Sequence, residues 1–319
     1  MAVNANHPER WKADIAQSVD YYNDWFLRFA PKTYRDSRIQ STVAVEEAFA
    51  LTSDLANIGA AIFRLHPSLL PILRMATAPP LARDRLIGLS GVSSSLVRNL
   101  EIEKRIPPRM TDDRVDVELE RIADILARLL DIDIFPWLKA DSTPSTEERY
   151  RAATVVADRL CGAISDPIIR NAQEQRQLAA LQEWLERRGY LLHSDGPSDF
   201  TAMQPGTFAF RLNVPVRQLG REQTVNLPID TVVRAKDAVA GQMPLLIEAK
   251  SAGDFTNTNK RRKEEATKIA QLRQTYGNET RFVLFLCGYF DSGYLGYEAA
   301  EGIDWVWEHR IDDLTGFGI

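Results

Sequence analysis

The hydrophobic period of this 319-residue chain changes once, at Gly189, and that change divides what it can fold into. Upstream, the apolar residues of "SVDYYNDWFLRFA", "VAVEEAFALTSDLANIGAAIF" and "VELERIADILARLLDIDIF" recur every three or four positions, which gathers them on one side of a helix. Downstream, "YLLH", "FAFRLNVPVRQ", "TVNLPIDTVV", "MPLLIEAK" and "RFVLFLCGY" are short runs rich in β-branched and aromatic residues. A long polar stretch, "NKRRKEEATKIAQLRQTYG", separates the last two and reads as a helix. The pattern predicts an all-helical first half followed by an α/β domain, a mixed sheet flanked by helices.

The punctuation between the halves is dense. In "ADSTPSTEERY", Ser145 and Glu148 have the spacing of a capping box and open a helix. In "SDPIIRNAQEQRQLAALQEWLERRGY", Asp166 suits an N-cap and Pro167 the first helical position, with Gly189 as the stop. These signals divide the chain into a helical domain over residues 1–164 and a sheet-containing domain over 165–319. The last thirty residues, aromatic and acidic, carry no clear pattern.

Bulk properties exclude several classes. The formal charge of -5 rules out a general polycation, so any anion-binding surface has to be local. Cys161 and Cys287 are too few for a disulfide framework or a thiolate zinc site, which fits the reducing cytosol. The amino terminus lacks an apolar targeting core and no run approaches 18 apolar residues, so neither secretion nor membrane insertion is expected.

The chemistry concentrates where two apolar runs end in charge. On a strand, alternate residues share a face, so Glu248 and Lys250 of "IEAK" emerge together while Ile247 and Ala249 face the other way. Asp230 ends the preceding run, "LPID", and a hairpin through "RAKDAVAGQ" would lay it beside them. Two carboxylates, with the carbonyl of Ala249 as a further ligand, suit Mg²⁺, a hard cation that keeps several waters. Lys250 could then orient a water and offset charge developing on a phosphodiester. An edge-strand ion pair is the plainer alternative. Glu174 lies on the stripe of Leu178, Leu181 and Leu185, facing the sheet, either as a third functional carboxylate or as the partner of a nearby arginine such as Arg170.

These residues resemble the PD-(D/E)XK nuclease motif, with Asp230, Glu248 and Lys250 in its catalytic positions and Glu174 at the place of the acid that many such nucleases carry on the first core helix. The proline, Pro228, is separated from Asp230 by Ile229, a departure that touches no chemistry. The segments "PPLARDRLIGLSGVSSSLVRNLE", "RIPPRM", "DPIIRNAQEQRQLAALQEWLERRGY" and "IEAKSAGDFTNTNKRRKEEATKIAQLR" resemble the XamI-type restriction endonucleases. The resemblance implies a PD-(D/E)XK restriction-endonuclease-like core behind an all-α domain. It also implies a Mg²⁺-dependent Type II enzyme, with Mn²⁺ able to replace the metal, that cuts double-stranded DNA at a short palindrome. A bacterial cytoplasm and a cognate DNA methyltransferase in the host go with that class.

Two surfaces are candidates to hold DNA. Asn257 to Arg273 carries six cations against two acids, 6 - 2 = +4. Within it, Lys260, Arg261, Arg262 and Lys263 could hold phosphates, and the amides of Asn257 and Asn259 could meet bases or phosphates. A solvated helix face is the bland reading of the same run. The second surface is "ARDRLIGLSGVSSSLVRNLEIEKR", which resembles a helix-turn-helix: Ser94, Ser95 and Arg98 lie past the turn, and Arg105 and Arg109 of "RIPPRM" extend it. Cutting both strands of a palindrome is simplest for a homodimer. Two other functions share these features, a structure-selective repair nuclease and a noncatalytic helix-turn-helix DNA-binding protein.

Overall fold

A computed structural model describes the chain except residues 1, 194–199, 219–222, 240 and 257, with side chains undescribed also at 201 and 258–261. It forms two compact units, one of residues Met1–Phe29 with Arg170–Ile319 and one of Ala30–Ile169. Two long helices, α1 (Pro8–Leu51) and α8 (Thr146–Arg187), contain both divides. The first 29 residues thus group with the sheet, where the sequence reading assigned them to the helical domain.

The helical unit collects the short helices α2 (Ala60–Leu65), α3 (Leu70–Met75), α4 (Arg83–Ser90), α5 (Ser94–Arg98), α6 (Asp112–Leu129) and α7 (Pro136–Ala140) around one apolar cluster. Phe49, Phe63 and Phe135 are fully buried there, each contributing about 1.5–3 kcal/mol by the area it removes from water. In α6 the buried positions Val115, Leu119, Ile122 and Leu126 show the expected period.

The capping box forms as read: the Ser145 hydroxyl accepts from the Glu148 N–H, and the Glu148 carboxylate accepts from the Ser145 N–H at 2.8 Å. Pro167 does not start a helix. It lies inside α8, as Pro31 lies inside α1, and both are within three residues of a divide between units. An internal proline costs about 3 kcal/mol or more. Apolar packing of α8 on either side of it, at Val156 and Leu160 and at Leu181 and Leu185, offsets that cost where local signals alone predict a boundary.

The sheet has six strands in sequence order: β1 (Leu191–Leu192), β2 (Thr207–Arg217), β3 (Thr224–Arg234), β4 (Leu245–Ala252), β5 (Arg281–Gly288) and β6 (Asp304–Trp307). β2–β3 and β3–β4 are antiparallel hairpins, while β4–β5 and β5–β6 are parallel, joined through α9 (Thr258–Tyr276) and α10 (Ser292–Ala300). The sheet is therefore mixed, as expected, and β6 is a strand that the sequence left unplaced.

Leu178, Leu181, Trp184 and Leu185 of α8 cover one face, against Phe208, Val233, Ile247 and Phe285. Ile269 and Leu272 of α9 and Leu295 of α10 cover the other, against Val214, Val232, Leu246 and Leu284. The amino-terminal residues join this unit through Trp11 against Trp305, Asp14 with Arg310 at 2.7 Å, and the Ser18 hydroxyl, which accepts from the Gly288 N–H. Gly288 has φ +98°, and a Cβ there would overlap the Ala252 carbonyl, so the close approach of β5 to the end of β4 requires glycine. No helix among the described residues is long and apolar enough to cross a membrane.

Candidate active site

The β3–β4 ladder pairs Val233 with Leu245, Val232 with Leu246 and Thr231 with Ile247, so one further step sets Asp230 across from Glu248. The link is direct, because the Ala249 N–H donates to Asp230 Oδ2 at 2.8 Å. Glu248 and Lys250 share a face, as alternation requires, and that face looks onto α9. Lys250 Nζ donates to Glu248 Oε1 at 2.9 Å and lies 3.6 Å from Glu265 of α9. Lys268, one turn further along α9, also donates to Glu248 Oε1, at 2.5 Å. Two ammonium groups therefore crowd one carboxylate oxygen. The other, Oε2, is buried and accepts no hydrogen bond.

The electrostatics follow from burial. Desolvation, reinforced by the charge of Glu248, raises Asp230 to about 6 even though the Ala249 N–H and two lysines pull it down. Glu265 is fully buried, neither of its oxygens accepts a hydrogen bond, and desolvation pushes it to about 7 against the pull of Lys250. Behind it, Glu298 of α10 rises to about 8, through burial first and Glu265 second. Burial alone would lower Lys250, but Glu248 and Glu265 outweigh it and hold the side chain above its ordinary range, as an ammonium. The cluster is a set of charges whose geometry leaves oxygens open, the pattern typical of sites that bind or react.

The sequence reading missed Glu265, Lys268 and Glu298. Glu265 and Lys268 lie on the stripe of α9 that continues into Ile269 and Leu272, at spacings of three and four. A charge on an apolar stripe is the signal that singled out Glu174, and applied to α9 it finds both residues. Glu174 itself is half-exposed and pairs with Arg211 of β2 at 2.8 Å, while the charges acting on Asp230 are those of Glu248, Lys250 and Lys268. Its partner is an arginine, but Arg211 from the sheet rather than Arg170 of its own helix. Among the described residues, no group of three or more His, Cys, Asp or Glu is arranged to hold a metal ion. The candidate set is two carboxylates, Asp230 and Glu248, with lysines beside them.

Of the basic run on α9, Lys263 is exposed, whereas Arg262 lies over the Tyr297 ring of α10, 3.5 Å from its centroid. Asn257 and the side chains of Asn259, Lys260 and Arg261 are outside the described residues. In the helical unit, α4 ends at Gly91 in the left-handed region, and the Ser93 side chain caps α5 by accepting from the Leu96 N–H. That turn brings Ser94, Ser95, Arg98 and Arg105 to the wall of one cleft of about 430 Å³, together with Arg83 and Asn99. Leu96 and Val97 anchor the opposite side of α5 in the core. Arg109 is exposed and does not line that cleft.

The family model for XamI restriction endonuclease matches residues 53–307, and the chain belongs to that family of restriction endonucleases. It is 54% identical over 317 residues to the Type II restriction enzyme SalI of Streptomyces albus G, covering 99% of each chain. With that identity over its full length, the protein is a Type II site-specific endonuclease, and the noncatalytic reading is set aside. A crystal structure of a protein from Vibrio cholerae overlaps 79% of this chain and 54% of its own, at 14% identity and a TM-score of 0.28. The chain thus spans about half the length of that solved protein.

Proposed function

We propose that the protein hydrolyses phosphodiesters of double-stranded DNA at a short palindromic site, using Mg²⁺ on a PD-(D/E)XK core, with Mn²⁺ able to replace it. The observation that carries this reading is the open, buried Oε2 of Glu248 opposite Asp230, with ammonium groups on the other oxygen. A buried carboxylate oxygen without a partner is costly, and a divalent cation is the partner that two adjacent carboxylates suit best.

Asp230 and Glu248 would hold the metal, with the Ala249 carbonyl as a third protein oxygen. When bound, Mg²⁺ supplies Lewis acidity to the phosphate and lowers the pKa of a water. Asp230, held by the Ala249 N–H, presents its remaining oxygen in fixed orientation. Lys250, kept as an ammonium by Glu248 and Glu265, donates hydrogen bonds to the attacking water or to the phosphoryl oxygens and offsets charge developing there.

Lys263 on α9 and the cleft of Ser94, Ser95, Arg98 and Arg105 are the described surfaces offered to phosphates and bases, with Arg109 exposed nearby in sequence. Asn257, Asn259, Lys260 and Arg261 remain candidates by sequence. Arg262, stacked on Tyr297, would reach a phosphate only by leaving that ring. A homodimer would supply one site per strand. The setting we infer is a bacterial cytoplasm in which a cognate methyltransferase protects the host DNA.

The test is incubation of the purified protein with a long DNA of known sequence, with Mg²⁺ and with EDTA, followed by sequencing of the ends. Discrete fragments that need Mg²⁺ and share one palindrome are expected. A metal-dependent smear would replace site specificity by shape selectivity, and fragments formed equally in EDTA would remove the metal.

A further inference from the structure

Arg211 stands at a singular point of the sheet. Its φ is +53°, in the left-handed region that side chains other than glycine adopt at some cost. The other non-glycine residues with positive φ, Ser53, Asp54, Leu55, Lys104 and Asp141, lie in turns or after helix ends, where that conformation closes the chain on itself. Arg211 is the one among the described residues that lies inside a strand.

The left-handed residue does something definite to the sheet. Before it, Phe208 and Phe210 pack on the α8 face; after it, Leu212, Val214 and Val216 pack on the α9 face, although all five are two apart. β3 does the same, with Leu227 and Ile229 on the α9 face and Val233 on the α8 face. The ladder runs from Phe210–Thr231 to Leu212–Ile229 and skips the position between, where Arg211 stands opposite Asp230. Facing residues of an antiparallel pair have Cα atoms about 5 Å apart. The backbone of Arg211 is thus next to that of Asp230, the residue proposed to bind metal, and its side chain reaches Glu174 of α8.

Glycine would make this inversion with less strain, so the backbone does not explain an arginine. Nor does the Glu174 pair: both side chains are about half exposed, and such pairs contribute little to stability. One guanidinium nitrogen is anchored on Glu174, and no other Arg211 side-chain hydrogen bond is described. A planar cation anchored at one nitrogen, with donors to spare, on the residue across the ladder from Asp230, matches an anionic ester oxygen.

We propose that Arg211 is a substrate-contacting residue that grips the DNA phosphodiester at or next to the bond being cut, an inference that rests on the nuclease reading of Asp230 and Glu248. The experiment compares wild type, Arg211→Gly and Arg211→Lys by thermal melting, by duplex binding in EDTA followed by fluorescence anisotropy, and by cleavage in Mg²⁺. Arg211→Gly is expected to melt at or above the wild-type temperature, because glycine suits φ +53°. Its affinity for duplex and its kcat/KM are expected to fall at least tenfold, and Arg211→Lys to recover part of the binding. Wild-type binding and cleavage by Arg211→Gly would overturn the proposal. So would a fall in melting temperature that accounts for the lost activity, since Arg211 would then be structural. Failure of wild type itself to cleave in Mg²⁺ would sink the nuclease reading instead, and the metal-free binding comparison would still decide whether Arg211 holds a phosphate.

Discussion

Each unit of the molecule buries a cluster of opposite charges, and the two clusters are finished differently. In the helical unit Glu101, 4% exposed at its side chain, accepts from Arg74 Nε at 2.5 Å with one oxygen and from Arg83 Nε at 2.9 Å with the other, and Arg74 also donates to the Leu81 carbonyl. Both carboxylate oxygens are taken. In the sheet unit Glu248, equally buried, has two lysines on one oxygen and nothing on the other, and Glu265 behind it has no hydrogen bond at either. A cluster that holds a fold closes on itself, while one that serves a ligand stays open at a desolvation cost that the surrounding packing has to carry.

The contrast breaks most visibly in activity. Asp230→Asn and Lys250→Ala are each expected to reduce cleavage by about a thousandfold or more, by the general magnitude of losing a metal ligand or an electrostatic stabiliser. Both should keep the fold by circular dichroism; substantial cleavage by either would remove the site from the sheet unit. Next in size is Glu101→Gln. Cutting the closed cluster leaves the buried Arg74 guanidinium without its counter-charge and should lower stability by about 3–5 kcal/mol in denaturant titrations. The same substitution at Glu265 should have the opposite sign, leaving stability at pH 8 unchanged or raised by about 1–3 kcal/mol, because a desolvated carboxylate becomes a neutral amide. If both variants lost stability equally, the distinction between closed and open clusters would fall.

The pH dependence sharpens the same point. Asp230 at about 6, Glu265 at about 7 and Glu298 at about 8 all lie above their unfolded values, so each favours the fold while protonated. That contribution is complete below the unfolded pKa, near 4, and is lost as pH rises through 6 to 8. The metal-free protein should therefore melt higher at pH 5.5 than at pH 8.5. Mg²⁺ needs the ionised carboxylates, so its stabilising effect should run the other way and grow with pH. The smallest effect belongs to neither cluster: Lys263→Ala should weaken DNA binding modestly and reduce the slope of log affinity against log salt by about 1. An unchanged slope would take Lys263 off the DNA surface.

Much of this contrast is legible in the sequence. Asp230, Glu248 and Lys250 stood out because strand alternation and a short hairpin are local rules, and the structure joins Asp230 to the Glu248 strand by the hydrogen bond from Ala249. Lys268 and Glu265 were equally readable from the stripe of α9 but were absorbed into its charge run. Other features were not local. Pro167 carries a helix-start signal that apolar packing on both sides overrides. β6, "DWVW", is too short and aromatic to declare itself, and its four buried residues exist as a strand only because β5 pairs with them. The inversion at Arg211 has no sequence signature, since nothing in "FRL" distinguishes a left-handed arginine from an extended one.

The order in which this chain is made adds a consequence to the packing of its first helix. Asn4 donates to the Trp305 carbonyl and Asp14 pairs with Arg310, contacts between residues about three hundred positions apart. On a ribosome Asn4 and Asp14 wait for about three hundred further residues before their partners exist. The hairpin bearing Asp230 and Glu248 is synthesised in that interval, some fifty to eighty residues ahead of β6 and Arg310. The sheet unit thus carries its candidate acids before its packing is complete, and the later segment around β6 and Arg310 is the one that closes on the first helix.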